Sequence, residues 1–122
     1  VNTASYYAKR GYGYFAPYCA SKAAVVNFTR SFAYEAIKHK VYVNCICPGD
    51  LNTEMHLQSL REEAEIKGVP YAEIEAANLK DIPCGRLGTP DDIANALVYL
   101  CSDECSYSIG EPMNVSGGRE MN

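Results

Sequence analysis

Tyr18 and Lys22 stand four residues apart in Tyr18-Cys19-Ala20-Ser21-Lys22, a run free of glycine and proline that reads as the opening turns of a helix. Side chains at that spacing lie one above the other on a single helix face, which sets an ammonium beside a phenol. A phenol titrates near ~10 in water, and proton exchange with an alcohol or ketone near neutral pH calls for a pKa about 2–3 lower. A neighbouring cation favours the phenolate, and a lysine one turn away is the simplest local source of one. The pair alone is weak evidence, because the same spacing arises on solvated helix faces. Its context is Ser5, at the end of a short β-like stretch, and the turn Cys47-Pro48-Gly49 followed by Thr53.

These groups need elements to hold them. Pro17 suits a first helical position, and the pattern predicts a helix from Tyr18 to about Lys38. Val25, Phe28, Phe32 and Ala36 step by three and four and mark its buried stripe. His39 and Lys40 sit where positive charge complements the helix dipole. Residues 41–46 are β-rich and apolar on both alternations, as expected of a parallel strand covered on both faces, and Pro48-Gly49 ends it. Ligands of doubly wound sheets bind just beyond the carboxyl ends of strands, where both Ser5 and Pro48-Gly49 lie. Between Ser5 and the helix, residues 6–17 form a glycine- and aromatic-rich loop. Its tyrosines either line a pocket or pack under the sheet edge. Gly11-Tyr12-Gly13 lacks the third glycine and the βαβ setting of a phosphate loop.

Beyond Thr53 the character of the chain changes. Residues 54–67 read as a charged amphipathic helix with Met55, Leu60, Ala64 and Ile66 as its apolar positions. Gly68 breaks it, and Pro70 opens a second helix through Leu79. Glu62, Glu63 and Glu65 are expected on a solvated face, and His56 and Gln58 are weighed as side chains reaching a polar ligand against simple exposure. Thr89-Pro90-Asp91-Asp92 is a strong helix start in which the aspartates cap rather than act as an acid–base pair. Ile93, Leu97, Leu100 and Cys101 are predicted to face inward, and Pro112-Met113-Asn114-Val115 to form a last short strand before Gly117-Gly118.

Composition narrows the function classes. The chain has 122 residues, a formal charge of −4 and 48% hydrophobic residues, which fits one globular α/β unit and leaves no basic footprint for nucleic acid. No run is apolar enough to span a membrane, and no charged-then-apolar leader opens the chain, so neither a membrane partner nor export is expected. The six cysteines show no paired CxxC spacing, so no metal is expected. They read as buried, reduced thiols of a cytoplasmic protein.

With Ser5, Tyr18, Lys22, Pro48-Gly49, Thr53 and the closing run from Ile93 to Gly118 in this order, the whole chain resembles the C-terminal half of the short-chain dehydrogenase/reductase family. The resemblance implies the C-terminal half of a Rossmann-like, doubly wound parallel sheet in a three-layer α/β/α fold. Residues 1–122 then form part of one domain, with 54–81 as a substrate lid. It implies hydride transfer between a secondary alcohol and a ketone with NAD or NADP, which this half does not distinguish. Ser5, Tyr18 and Lys22 take the catalytic roles; Tyr18 is the general acid/base, Lys22 eases its ionisation and holds the nicotinamide ribose, and Ser5 holds the substrate oxygen. Pro48, Gly49, Leu51 and Thr53 join Tyr18 and Lys22 against the cofactor. A homodimer or homotetramer is implied, with the helix beginning at Tyr18 at a subunit interface.

The lid resembles those of members acting on small polyols, diols or sugar alcohols, with steroid, bile-acid and 3-oxoacyl substrates as alternatives. The glycine-rich phosphate loop, the residue choosing between NAD and NADP, the Asn-Asn-Ala-Gly strand end and the catalytic asparagine belong to the N-terminal half and are not among these residues. The chain alone is therefore expected to be an inactive fragment. A reading from another class is a non-catalytic α/β interaction module that pairs through an open sheet edge.

Overall fold

The computed structural model describes Val1 through Asn122. Three parallel strands lie in the order β1 (Asn2–Thr3), β2 (Cys45–Pro48), β3 (Pro112–Val115). Thr3 pairs with Ile46, and Cys45 through Pro48 pair with Pro112 through Val115. Parallel neighbours need long crossovers. Helix α1 (Ala16–Ala36) makes the first, and α2 (Glu54–Lys67), α3 (Tyr71–Lys80) and α4 (Pro90–Leu100) make the second.

Alternation along β2 divides the core into two layers. Cys45 and Cys47 point to one face, where they pack with Ala4 and Val26, and Ile46 points to the other, against Leu100 and Cys105. Ile93, Leu97 and Met113 complete the second layer. The sheet is thus covered by α1 on one side and α4 on the other, as a parallel α/β/α arrangement requires.

Several sequence expectations are corrected. Helix α1 starts at Ala16, with Pro17 in its first turn, and passes at Ile37–His39 into a 3-10 turn. Its buried stripe is Val26, Thr29, Ala33 and Ala36, whereas Phe28 and Phe32 are 60% and 43% exposed and stack on each other. The two stripes are close in angle, and hydrophobicity favours the wrong one because Thr29 is polar and Ala33 is small. Thr29 is buried at no loss of hydrogen bonds, since its hydroxyl donates to the Val25 carbonyl at 2.8 Å and accepts from Asn2 at 3.0 Å. Small side chains on this face let the helix approach the sheet closely.

The central strand begins at Cys45 rather than residue 41, and Val41 and Tyr42 are exposed. Asn44, fully buried, spends its side chain on the turn before β3, donating to the Ser108 carbonyl and accepting from the Glu111 N–H. Met55, Ile66 and Cys101 are also exposed, so α2 turns only Leu60 and Ala64 inward, against Ile74 of α3. Of the six thiols, all free, Cys45, Cys47 and Cys105 are buried, but Cys84 and Cys101 are exposed and Cys19 is half-buried.

The helix boundaries follow their caps. Thr53 caps α2, Gly68 closes it in a left-handed conformation at φ 65°, and Pro70 precedes α3. Thr89 and Asp92 form a reciprocal capping box at the start of α4. No helix is long and apolar enough to cross a membrane.

Gly49, just after β2, packs against Ser116, just after β3. A Cβ there would stand 2.7 Å from the Ser116 Cα and 3.0 Å from its carbonyl oxygen, so the two strand ends could no longer lie side by side. Gly49→Ala is expected to lower the unfolding free energy by ~2 kcal/mol, read from the urea midpoint of the protein carrying this chain. An unchanged midpoint would mean that this contact relaxes freely.

Candidate active site

Each strand releases the chain at the same edge of the sheet, and the candidate residues gather there. Ser5 follows β1 in extended conformation and is buried; its Oγ accepts from the Tyr7 N–H at 3.2 Å and opens a 3-10 turn over Tyr6–Ala8. That bond uses an oxygen lone pair and leaves the hydroxyl proton of Ser5 free to donate. Tyr18 and Lys22 lie on the first turns of α1, with the Lys22 Nζ 5.7 Å from the centre of the Tyr18 ring. The ammonium also donates to the Thr3 carbonyl at 3.4 Å, which ties it to the end of β1. Thr53 sits at the start of α2, its Oγ1 accepting from the His56 N–H at 3.3 Å.

Ser5, Tyr18, Lys22, Pro48, Gly49, Leu51 and Thr53 all line one cavity of about 530 Å³. A space of this size suits a small ligand. The loop tyrosines do not share one role, and Tyr14, fully exposed, takes neither of the two left open for them. Tyr6 and Tyr7 line the cavity, and Tyr12 stacks behind Tyr7 with ring centres 4.0 Å apart. Tyr7 meets Tyr18 edge-on at 5.7 Å and Phe15 at 5.2 Å, so an aromatic wall buttresses the Tyr18 ring. Gln58 turns away to Arg61 and Glu62, whereas Glu63, expected on a solvated face, lines the cavity while pairing with Lys67.

A polar network completes the cavity, and of its members only His56 is singled out in the sequence. The Asp50 carboxylate accepts from the Tyr6 hydroxyl at 3.0 Å and the Asn78 amide at 3.2 Å, and lies 3.2 Å from the Arg119 Nε. Arg119 also donates to the Tyr6 hydroxyl at 3.2 Å, and the His56 Nε2 stands 3.2 Å from the Asn78 Oδ1. Tyr6, Asp50 and Arg119 leave the ends of β1, β2 and β3, and His56 and Asn78 come from α2 and α3. The signal was available: Asp50 follows Gly49, and Arg119 follows Gly118, both at strand carboxyl ends.

The donor set fits the nicotinamide end of a dinucleotide. Lys22 has N–H bonds to spare beyond the one to Thr3, and the Thr53 hydroxyl, which accepts from His56, keeps a proton to donate. These 122 residues include no glycine-rich loop to cradle a pyrophosphate. No group of three or more His, Cys, Asp or Glu side chains is placed to hold a metal ion.

Burial pushes the Tyr6 phenol well above its ordinary value, and the adjacent Asp50 carboxylate adds to the shift. The folded state therefore keeps this proton at a pH where the unfolded chain, titrating near ~10, gives it up. Stability contributed by Tyr6 is fully present below that pH and is lost as pH rises toward the folded value. Urea unfolding should show stability falling more gently above pH ~10 in Tyr6→Phe than in the parent protein. Parallel slopes would mean that the phenol is solvated.

Residues 1–120 match the family model described as enoyl-(acyl carrier protein) reductase. Galactitol 2-dehydrogenase of Agrobacterium fabrum is 38% identical over 99% of this chain and 47% of its own length. The 3-oxoacyl-(acyl-carrier-protein) reductase of Vibrio harveyi is 39% identical over 85% of this chain and 38% of its own. The crystal structure of L-sorbose reductase from Gluconobacter frateurii, complexed with NADPH and L-sorbose, superposes with a TM-score of 0.88 at 30% identity, covering 98% of this chain and 46% of that one. The chain spans about half the length of the curated relatives it matches, or less.

Proposed function

The chain belongs to the short-chain dehydrogenase/reductase family, and we propose that it carries the catalytic and substrate-facing half of an oxidoreductase that interconverts a secondary alcohol and a ketone. The observation that carries this reading is the convergence of Ser5, Tyr18, Lys22 and the segment from Pro48 to Thr53 on one cavity. A scaffold has no use for that grouping, which weighs against a purely structural module.

In the proposed reaction the nicotinamide cofactor, when bound, supplies the hydride to the carbonyl carbon. The Ser5 hydroxyl, its oxygen already engaged by the Tyr7 N–H, donates to the substrate oxygen as negative charge develops there. Tyr18 delivers its phenolic proton to that oxygen, which completes the alcohol. In the oxidative direction Tyr18 takes the proton back as the hydride leaves. Lys22, beside the Tyr18 ring, offsets the charge on the phenolate and has further N–H groups for the cofactor ribose. Pro48, Gly49, Leu51 and Thr53 would form the wall against the nicotinamide.

For the substrate, we infer a small polyol, diol or sugar alcohol, with the α2–α3 hairpin, residues 54–81, as the lid. The polar wall of Asp50, His56, Asn78 and Arg119 suits hydroxyl groups better than an acyl chain. Similarity to galactitol and L-sorbose enzymes supports this; similarity to 3-oxoacyl reductases supports the second reading, a carrier-bound ketone. NADPH in the L-sorbose reductase complex supports a nicotinamide cofactor without choosing NAD or NADP here. The exposed Phe28–Phe32 stack supports a homo-oligomer with α1 at its interface, and six unpaired thiols support a reducing, cytoplasmic setting.

We expect the 122 residues alone not to grip the cofactor pyrophosphate. Isothermal titration of NADH and NADPH into this chain should show no binding, with circular dichroism confirming folded structure; micromolar binding would overturn that part. In the complete enzyme, Tyr18→Phe should lower kcat for ketone reduction by roughly 10²-fold or more while cofactor affinity is kept. Activity within a few-fold of the parent would reject Tyr18 as the general acid.

A further inference from the structure

His56 belongs to the cavity that holds Tyr18 and Lys22, and its state is set by its neighbours on the same wall. The chain of constraint starts at Asp50. Its carboxylate is acceptor-only, and it is flanked by Arg119 at 3.2 Å and the Tyr6 hydroxyl at 3.0 Å. The Asn78 side chain must therefore present its NH2 group to Asp50, at 3.2 Å, and turn its Oδ1 away. That oxygen faces the His56 Nε2 at 3.2 Å, and an amide oxygen only accepts, so Nε2 carries the proton. In the neutral ring Nδ1 is then a bare acceptor, for which the protein supplies no donor. The backbone is held as well, through the bond from the His56 N–H to the Thr53 cap.

We propose that His56 is a specificity-determining residue that accepts a hydrogen bond from a hydroxyl of the substrate other than the one being oxidised, and so selects polyhydroxylated ketones and alcohols over acyl substrates. The proposal rests on the hydride-transfer reading and deepens it. An acceptor with a fixed tautomer on the wall of a small cavity calls for an O–H or N–H donor, and a sugar alcohol offers several. An acyl chain offers none at its alkyl carbons, and would leave Nδ1 desolvated without a partner. In this contact Asn78 and Asp50 act through His56, as positioning residues.

The test uses the complete enzyme with two ketones of equal chain length, a ketohexose and 2-hexanone, and compares the parent with His56→Phe and His56→Asn. His56→Phe should lose roughly tenfold more kcat/KM on the ketohexose than on 2-hexanone, with the difference in KM. His56→Asn, whose amide can place an acceptor near the Nδ1 position, should recover most of that difference. Imidazole 15N shifts should show the Nε2–H form in the parent and its loss in Asn78→Leu. Equal losses on both ketones would reduce His56 to a structural role and overturn the proposal, as would a parent enzyme that prefers 2-hexanone or an Nδ1–H ring. A parent that reduces no carbonyl compound at all would instead overturn the hydride-transfer reading, and this proposal with it.

Discussion

Strand β2 is hydrogen-bonded along both edges, and the rest of the molecule is arranged by that constraint. A strand paired on both sides and buried on both faces has no freedom of register, because a one-residue slip would exchange Cys45 and Cys47 for Ile46 against α1. Parallel pairing then forces the chain to leave all three strands at the same edge. Ser5, the turn from Gly49 to Asp50 and the segment from Ser116 to Arg119 become neighbours for that reason alone, although they are far apart in sequence. The close approach of Gly49 to Ser116 is the local expression of the same pairing.

What gathers at that edge is electrostatically demanding. The side chains of Asp50 and Arg119 are only 10% and 14% exposed, so each has given up most of its hydration. A nearly buried ion pair contributes little net stability, because desolvation cancels much of the attraction. It does contribute geometry when its remaining hydrogen-bonding capacity is filled. Here Tyr6 and Asn78 fill it, and each draws in a different element: the loop after β1 and helix α3. The pair therefore acts as a joint between the sheet edge and the α2–α3 hairpin.

The sequence made the elements legible where local chemistry decides them. Thr53, Gly68, Pro70 and the Thr89–Asp92 box set boundaries through caps that depend on neighbours in the chain, and α2, α4 and β3 fall close to where those signals put them. It was less informative where tertiary contact decides. Phe28 and Phe32 outweigh Thr29 and Ala33 on any hydrophobicity scale, yet the smaller residues are the ones that fit against the sheet. Val41 and Tyr42 have strand propensity but no partner strand, since β1 pairs with β2 only from Cys45. Tyr18 and Lys22, read from their spacing, and Ser5, Pro48, Gly49, Leu51 and Thr53, taken from the family resemblance, line one cavity, because strand ends and helix starts are local features that a parallel sheet brings together. Asp50, Asn78 and Arg119 escaped because a carboxylate, an amide and a guanidinium in loops and on a helix look like ordinary surface until the fold joins them.

The core itself is built in separable parts. Leu60, Ala64 and Ile74 form a cluster of their own, distinct from those that pack α1 and α4 on the sheet. The α2–α3 hairpin is thus held to the site mainly by polar links, the Asn78–Asp50 bond and the Arg119 contacts with the Asn78 carbonyl and Asp81, rather than by shared apolar burial. Polar links fix direction more than they add stability, and they leave the hairpin surface free to differ without disturbing the sheet. Ser5, just after β1, and Tyr18 and Lys22, on α1, are by contrast tied to the core by the Lys22 bond to Thr3 and the packing of Ala4 and Val26. The groups proposed for proton transfer are thus tied to the core layer, whereas His56 and Asn78, two of the four residues proposed to face the substrate, are carried by the hairpin.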